Sequence, residues 1–207
     1  MMDLELSAEA DPAGESEADS PPPAAKTKKT PARGKKSAKS GKGSSKKKKA
    51  GKGATPATQL LEEHGYSYAL HVFQHDPANS NYGKEAVDRL KADPRRVFKT
   101  LIVDVGSQLT AALIPVSASL DLRALAAALG VKRAVMAEPD AAERATGYRL
   151  GAISPLGMKQ QIPVVIDDSS ADADIFLVSG GRRGLELELR VQAVIDLVDA
   201  RLAPIAR

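Results

Sequence analysis

Arg95-Arg96-Val97-Phe98-Lys99-Thr100-Leu101-Ile102-Val103 is the stretch whose reading decides the fold. After Pro94 it contains no glycine or proline, and β-branched and aromatic residues dominate, so it predicts a strand. Period-2 alternation puts Val97, Lys99, Leu101 and Val103 on one face and Phe98, Thr100 and Ile102 on the other. Both faces are mostly apolar, the pattern of a strand covered on two sides, yet Lys99 stands at its middle. A lysine in that position must reach water past the sheet rim, find a partner, or take part in chemistry.

Outward from this strand, Gly106-Ser107 predicts a hairpin turn into a second strand over 109–116. Asp121 then begins a helix with Leu122, Leu125, Ala126 and Leu129 on one side and Gly130 at its stop. A short strand at 134–136, a helix from Pro139 to Thr146, and a loop bounded by Gly151 and Gly157 follow. Strands are expected at 163–166 and 175–178. Ser179-Gly180-Gly181-Arg182-Arg183-Gly184 turns the chain into the alternating Leu185-Glu186-Leu187-Glu188-Leu189, and an amphipathic helix built on Val191, Val194, Ile195 and Val198 closes the pattern. On the N-terminal side, Thr55-Pro56 starts a helix that Gly65 ends, 66–75 alternates loosely as a strand, and 82–91 predicts a helix. About seven strands and five helices in this order predict a mixed α/β domain with hairpins rather than a parallel βαβ series.

The chain divides into two expected regions, 1–53 and 54–207. Residues 1–53 hold thirteen Lys/Arg, all from Lys26 onward, against seven Asp/Glu in the leader; 54–207 hold seventeen against nineteen. The first region has almost no apolar surface and is expected to be a disordered tail, acidic and then Lys-rich, whose basic block suits a polyanion such as nucleic acid. A solubilising tail is the plainer reading. The chain has no cysteine, which excludes disulfides, thiolate metal sites and a cysteine nucleophile of its own. That composition, the lack of an apolar run near the ~18–20 residues of a membrane helix, and an acidic, non-signal-like N-terminus lead us to expect a cytoplasmic protein with no membrane partner.

Tests for standard chemistries return little. Ser154 sits in Ile-Ser-Pro rather than Gly-x-Ser-x-Gly, and His64, His71 and His75 all fall far from it in sequence. On a strand, His71 and His75 would lie about 13 Å apart, too far for one metal ion. No phosphate loop or dinucleotide-binding pattern is present, so neither metal nor cofactor is expected. Lys99 and the Gly151–Gly157 loop remain. Pro155 stiffens that loop and its glycines permit unusual backbone angles, so its N–H groups are able to face a ligand oxygen.

Taken together, Thr55-Pro56-Ala57, His75-Asp76-Pro77, Val97-Phe98-Lys99-Thr100-Leu101, Leu120-Asp121-Leu122 and Thr146-Gly147-Tyr148 resemble the YbaK/EbsC family of aminoacyl-tRNA deacylases. Gly151-Ala152-Ile153-Ser154-Pro155-Leu156-Gly157 and Val178-Ser179-Gly180-Gly181-Arg182-Arg183-Gly184-Leu185-Glu186 extend the resemblance over 55–207. That family is related to the editing domain inserted in bacterial prolyl-tRNA synthetases. The resemblance implies a curled, barrel-like mixed sheet surrounded by helices, and hydrolysis of the ester between a wrong amino acid and the tRNA 3′ end. It is strongest to the YbaK branch, free-standing deacylases of Cys-tRNA(Pro) and Cys-tRNA(Cys), with prolyl-tRNA synthetase as a candidate partner. The family lysine falls on Lys99 and its Gly-x-x-x-Pro loop on Gly151–Pro155. A site-lining tyrosine of that branch is replaced here by Phe73, which keeps a ring and loses a hydroxyl. The implied substrate site comprises Phe73, Tyr82, Thr100, Gly151, Ile153, Ser154, Pro155, Gly157, Ser179, Gly180 and Gly181. The mechanism proposed for the branch is substrate-assisted, the cysteine thiol attacking its own ester. Editing of Ala- or Ser-tRNA by activated water, and nucleic-acid binding without catalysis, remain alternatives.

Overall fold

A computed structural model describes residues 54–207; the expected acidic and polybasic tail over 1–53 lies outside the described residues. The elements run α1 (Pro56–Glu63), β1 (Tyr68–Val72), α2 (Tyr82–Leu90), β2 (Val97–Asp104), β3 (Leu109–Pro115), α3 (Leu122–Leu129) and β4 (Val135–Met136). They continue with α4 (Pro139–Thr146), β5 (Val164–Asp167), a 3-10 turn (Asp168–Asp172), β6 (Ile175–Arg182), β7 (Leu185–Arg190), α5 (Val191–Val198) and β8 (Arg201–Ala203). None of the described helices is long and apolar enough to cross a membrane.

The eight strands form one mixed sheet in the order β1-β7-β6-β2-β3-β5-β8, with β4 paired to β2 off this path. The mixed α/β class expected from the sequence is the class observed. The sheet is not closed: β1 and β8 are its two ends and do not pair with each other.

Local sequence accounts for most boundaries. The Thr55 side chain accepts from the Thr58 N–H at 3.3 Å while the Thr55 N–H donates to Thr58 Oγ1 at 2.9 Å, a reciprocal cap on α1. Asp121 accepts the Arg123 and Ala124 N–H groups at the start of α3, which holds its carboxyl below the ordinary pKa. The β6–β7 hairpin is tighter than expected. β6 continues through Gly180 and Gly181 to Arg182 with an irregular register after Ser179, leaving only Arg183-Gly184 as the turn. β8, three residues parallel to β5, carries no alternation long enough to read from sequence.

Both faces of β2 are covered, as its pattern predicts. Phe98 and Ile102 enter the largest cluster, with Phe176, Val178, Leu187 and residues of α1, α4 and α5. On the opposite face two clusters share the cover. Val97 packs with Leu177 and Ala86 of α2, whereas Val103 and Ile114 pack with Leu125 of α3, and Leu101 lies against them. Lys99, between Val97 and Leu101, belongs to neither and falls at the seam.

Asp167, buried at the end of β5, ties the chain's last described residues to this arrangement. Its carboxylate accepts the Ile205 N–H at 2.9 Å and the Ala206 N–H at 2.7 Å. Residues 205–207 in turn bond the loop before α3, through Asp121 N–H to Ile205 O (2.8 Å) and a reciprocal Ser119–Arg207 pair. Replacing Asp167 with Ala strands these buried donors, at a cost of about 1–3 kcal/mol for each one left unpaired. Urea unfolding of Asp167→Ala is therefore expected to show a clearly lower midpoint with an unchanged slope; a midpoint equal to the parent's would refute the role.

Candidate active site

The site is organised by a gap in the sheet. β2 pairs with β3 along almost its whole length, but on its other edge it pairs with β6 only at Val97 and Phe98 and with β4 only at Val103 and Asp104. Residues 99–102 have no strand on that edge. Val97 accepts from Val116 of the β3 side, so by the alternation of an antiparallel ladder Lys99 and Leu101 turn their peptide groups toward β3, and Thr100 turns its own toward the gap. The Thr100 hydroxyl is buried and unpartnered, an arrangement that usually marks a place for water or a ligand.

A cavity of about 520 Å³ straddles this edge, within the range of small-ligand sites. It is lined by the Lys99–Ile102 segment, by Asn81 and Tyr82 at the start of α2, by Gly151 and Ile153, and by Ser179 and Glu186 from β6 and β7. A larger cleft of about 780 Å³, lined by Asp93, Arg96, Asp172 and Arg207 among others, contains none of the residues expected at the site. The residues expected at the site gather at the smaller cavity.

The register places four polar side chains on one sheet face. Phe98 pairs with Val178 and Val178 with Leu187, so Lys99, Ser179, Glu186 and His71 all lie on the opposite side of the sheet from those residues. Lys99 Nζ donates to the Ala118 carbonyl at 2.8 Å, and burial pushes its pKa down from the ordinary lysine value. Burial raises the Glu186 carboxyl to about 8. His71 is engaged with Glu188 at 2.6 Å.

The rim is held by fixed contacts. Arg183 donates to the Leu150 carbonyl at 3.0 and 3.2 Å and sets its guanidinium 4.8 Å from the centre of the Tyr82 ring. Glu143 accepts from the Leu150 N–H at 2.9 Å and from Arg149 at 2.7 Å, and these bonds hold its pKa low. The Tyr148 hydroxyl donates to Leu156 O at 2.7 Å. The His75-Asp76-Pro77 motif acts through Glu85, whose buried carboxylate takes His75 Nδ1 and the Asp76 N–H, each at 2.7 Å. Burial opposes ionisation of Glu85, but these bonds keep its pKa below normal. His75 also packs its ring 5.4 Å from that of Tyr82.

Of the residues singled out from sequence, Lys99, Tyr82, Thr100, Gly151, Ile153 and Ser179 meet at the cavity. Phe73 does not line it; it packs with Val97, Leu177 and Ala86 beneath α2. Ser154 is fully buried and its Oγ accepts the Leu156 N–H at 3.3 Å, and Pro155 is buried beside it, so both shape the loop from behind. Gly157 has φ +65°, and a Cβ there would come within 2.6 Å of the Pro56 backbone, which makes it a packing contact with α1. Gly180 lies against Leu185, and Gly181 lines an adjoining cleft with Arg149, Arg182 and Arg183. Glu186, Arg183 and Glu143 were not singled out. Alternation alone put Glu186 opposite Leu185 and Leu187, but only strand register brings it beside Lys99.

The chain is similar to known aminoacyl-tRNA editing proteins. The family model of the aminoacyl-tRNA editing domain matches residues 77–197. A protein of Enterococcus faecalis (strain ATCC 700802 / V583) named as a Cys-tRNA(Pro)/Cys-tRNA(Cys) deacylase, EbsC, is 32% identical over 153 residues, covering 73% of this chain and 92% of that protein. A proline–tRNA ligase of Moorella thermoacetica (strain ATCC 39073 / JCM 9320) is 35% identical over 78 residues, 38% of this chain and 13% of the ligase. The fold is similar to a crystal structure described as a trans-editing enzyme for prolyl-tRNA synthetase, with a TM-score of 0.64 at 19% identity over 73% of this chain and 95% of the other. It is also similar to the hypothetical protein APE2540, with a TM-score of 0.67 at 21% identity over 74% and 100%.

Gly151 offers a local test of the rim. Its φ is +78°, and a Cβ built there overlaps the Tyr82 ring. Gly151→Ala must displace that ring and strain the backbone. We expect at least tenfold loss of turnover with a melting temperature within a few degrees of the parent; parent-like turnover would show that the ring and loop need not meet.

Proposed function

This chain belongs to the family of aminoacyl-tRNA editing domains and is an aminoacyl-tRNA deacylase, and from that premise we propose that it clears cysteine from mischarged tRNA. Cys-tRNA(Pro) is the principal substrate and Cys-tRNA(Cys) a second. The observation that carries this reading is the Lys99 amine, bonded to Ala118 O at the seam of two apolar clusters and beside the open edge of β2. The name carried by the Enterococcus relative supports the choice of amino acid.

Lys99 acts as a fixed cation. For it to be a free base near pH 7, its pKa must fall from about 10.4 by more than three units, roughly 4.6 kcal/mol at 1.36 per unit. Burial acts in that direction, but donation to a carbonyl favours the ammonium form. With one N–H on Ala118, the ammonium retains donors for the ester and the neighbouring ribose or phosphate oxygens. Thr100, with an unpartnered hydroxyl and a peptide facing the gap, supplies further hydrogen bonds to the terminal nucleoside.

The chain itself contains no cysteine, and the substrate brings the sulfur. The substrate thiolate attacks its own ester carbonyl, the carbon–oxygen bond to the ribose breaks, a small thiolactone leaves, and the thiol proton ends on the ribose oxygen. The protein's part is to hold the ester in reach and to stabilise charge as it develops. We expect Lys99→Ala to abolish deacylation of Cys-tRNA(Pro), and Lys99→Arg to retain binding with reduced turnover because its forked head is larger. A substrate whose thiol is blocked should resist the parent enzyme. Full activity of Lys99→Ala, or cleavage of the blocked substrate at the parent rate, refutes the mechanism.

The thirteen basic residues between Lys26 and Lys52 serve as a tRNA-binding arm in this reading, and the protein works in the cytoplasm alongside prolyl-tRNA synthetase. Each phosphate contact adds about 0.7–0.9 to the slope of log affinity against log salt. Deleting residues 1–53 should flatten that slope and weaken tRNA binding while leaving turnover at saturating substrate intact. An unchanged slope removes the arm from the account.

A further inference from the structure

Glu186 is a carboxyl in the same cavity as Lys99 that the deacylation chemistry leaves without a task. It stands on β7 directly across from Ser179 of β6 and His71 of β1. The base that could serve it, His71, gives its Nε2 to Glu188 instead, at 2.6 Å. No described side chain donates to the Glu186 carboxyl, and no ion pair joins it to Lys99, which is bonded to Ala118. The ionisable groups that line the cavity with it are Lys99 and Tyr82. One cation and one carboxyl thus face a single cavity without neutralising each other. Glu186 is half-buried, and a carboxyl drawn partly out of water with no protein donor is open to a donor from a ligand.

An aminoacyl ester carries the complementary groups. Its ester and ribose oxygens suit the lysine, and its α-amine, one bond from the carbonyl carbon's neighbour, is the only basic group near the reacting centre. We propose that Glu186 receives the α-amine of the aminoacyl group, so that the site accepts free aminoacyl esters and rejects N-acylated ones such as peptidyl-tRNA. This rests on the deacylase reading and assigns the substrate's second anchor. Burial shapes the pairing: a carboxyl raised to about 8 and an α-amine of about 7.7–8.0 are both mostly protonated at pH 7, so pairing them around a single proton releases most of one proton near neutral pH. An amide nitrogen has neither charge nor basicity, and would leave the carboxyl unpaired.

Binding tests this without depending on turnover. The full chain is titrated calorimetrically with 3′-deoxy-3′-(cysteinylamino)adenosine, a non-hydrolysable mimic of the tRNA end, and with its N-acetyl derivative. The parent is expected to bind the free-amine compound at least tenfold more tightly. Glu186→Gln, close in size to Glu, should lose most of that preference by weakening the free-amine compound alone, and Glu186→Asp should restore part of it. Equal binding of the two compounds by the parent, no binding of either, or an equal loss on both in Glu186→Gln overturns the proposal. Failure to cleave Cys-tRNA(Pro) while the amine preference persists would overturn the choice of cysteine and leave the Glu186 role standing.

Discussion

The hydrogen bond from Lys99 Nζ to the Ala118 carbonyl is the contact on which the site depends. An ammonium at the middle of a strand between apolar clusters has few places to go, and a buried charge without an acceptor is expensive. Ala118 supplies that acceptor from a short loop between β3 and α3. The loop is itself held by residues 205–207, through the Ser119–Arg207 and Asp121–Ile205 backbone bonds, and those residues by the Asp167 carboxylate. A carboxylate on β5 therefore fixes, through the chain's last residues, the position of the oxygen that fixes the amine. None of these residues other than Lys99 lines the cavity, so the positioning is entirely indirect.

The opening itself comes from β2 being one long strand flanked on one edge by two short partnerships. Complete pairing with β6 or with β4 would satisfy the Thr100 peptide and close the cavity. Instead β4 has two residues and the β6 pairing stops after Phe98. An interior strand thereby keeps a short unpaired segment, with β6 and β4 paired at its two ends and β3 along its other edge, too short to offer the long free edge that invites aggregation. Around it, Arg183, Glu143, Tyr148 and the His75–Glu85 pair hold the Gly151 loop and Tyr82 by side-chain bonds to backbone or ring. A site on loops gains the precision of a site on regular elements when its loops are tied in this way.

Much of this was readable from the sequence because it is local. The Thr55 cap, the helix start at Asp121, the Gly106-Ser107 hairpin and the parity of Lys99 within its strand each depend on neighbours a few residues away. Phe73 shows where that ends: it was carried to the site by resemblance alone, and packing beneath α2 turned it away. Ser154 and Pro155 are placed at the substrate site by the resemblance of their loop to the family's Gly-x-x-x-Pro loop, and in the structure both are buried behind it. Glu186 was missed for the opposite reason. Its strand was plain, but the residues it faces are set by the Ser179 and His71 registers, which join segments far apart in the chain. Long-range register leaves no mark on local alternation.

The same geometry bears on how cysteine is told from smaller amino acids. Any cavity that admits a cysteinyl ester also admits alanyl and seryl esters, which are no larger, and fit alone separates such side chains by only about 1–3 kcal/mol. In the proposed roles, Lys99, Thr100 and Glu186 serve parts that every aminoacyl ester has in common: oxygens, nucleoside and α-amine. On the proposed chemistry, selection then falls to reactivity rather than to binding, because only a substrate with a thiol carries its own nucleophile to the polarised carbonyl. A site built to hold what is common among its ligands gains specificity when the difference between them is the reacting group itself.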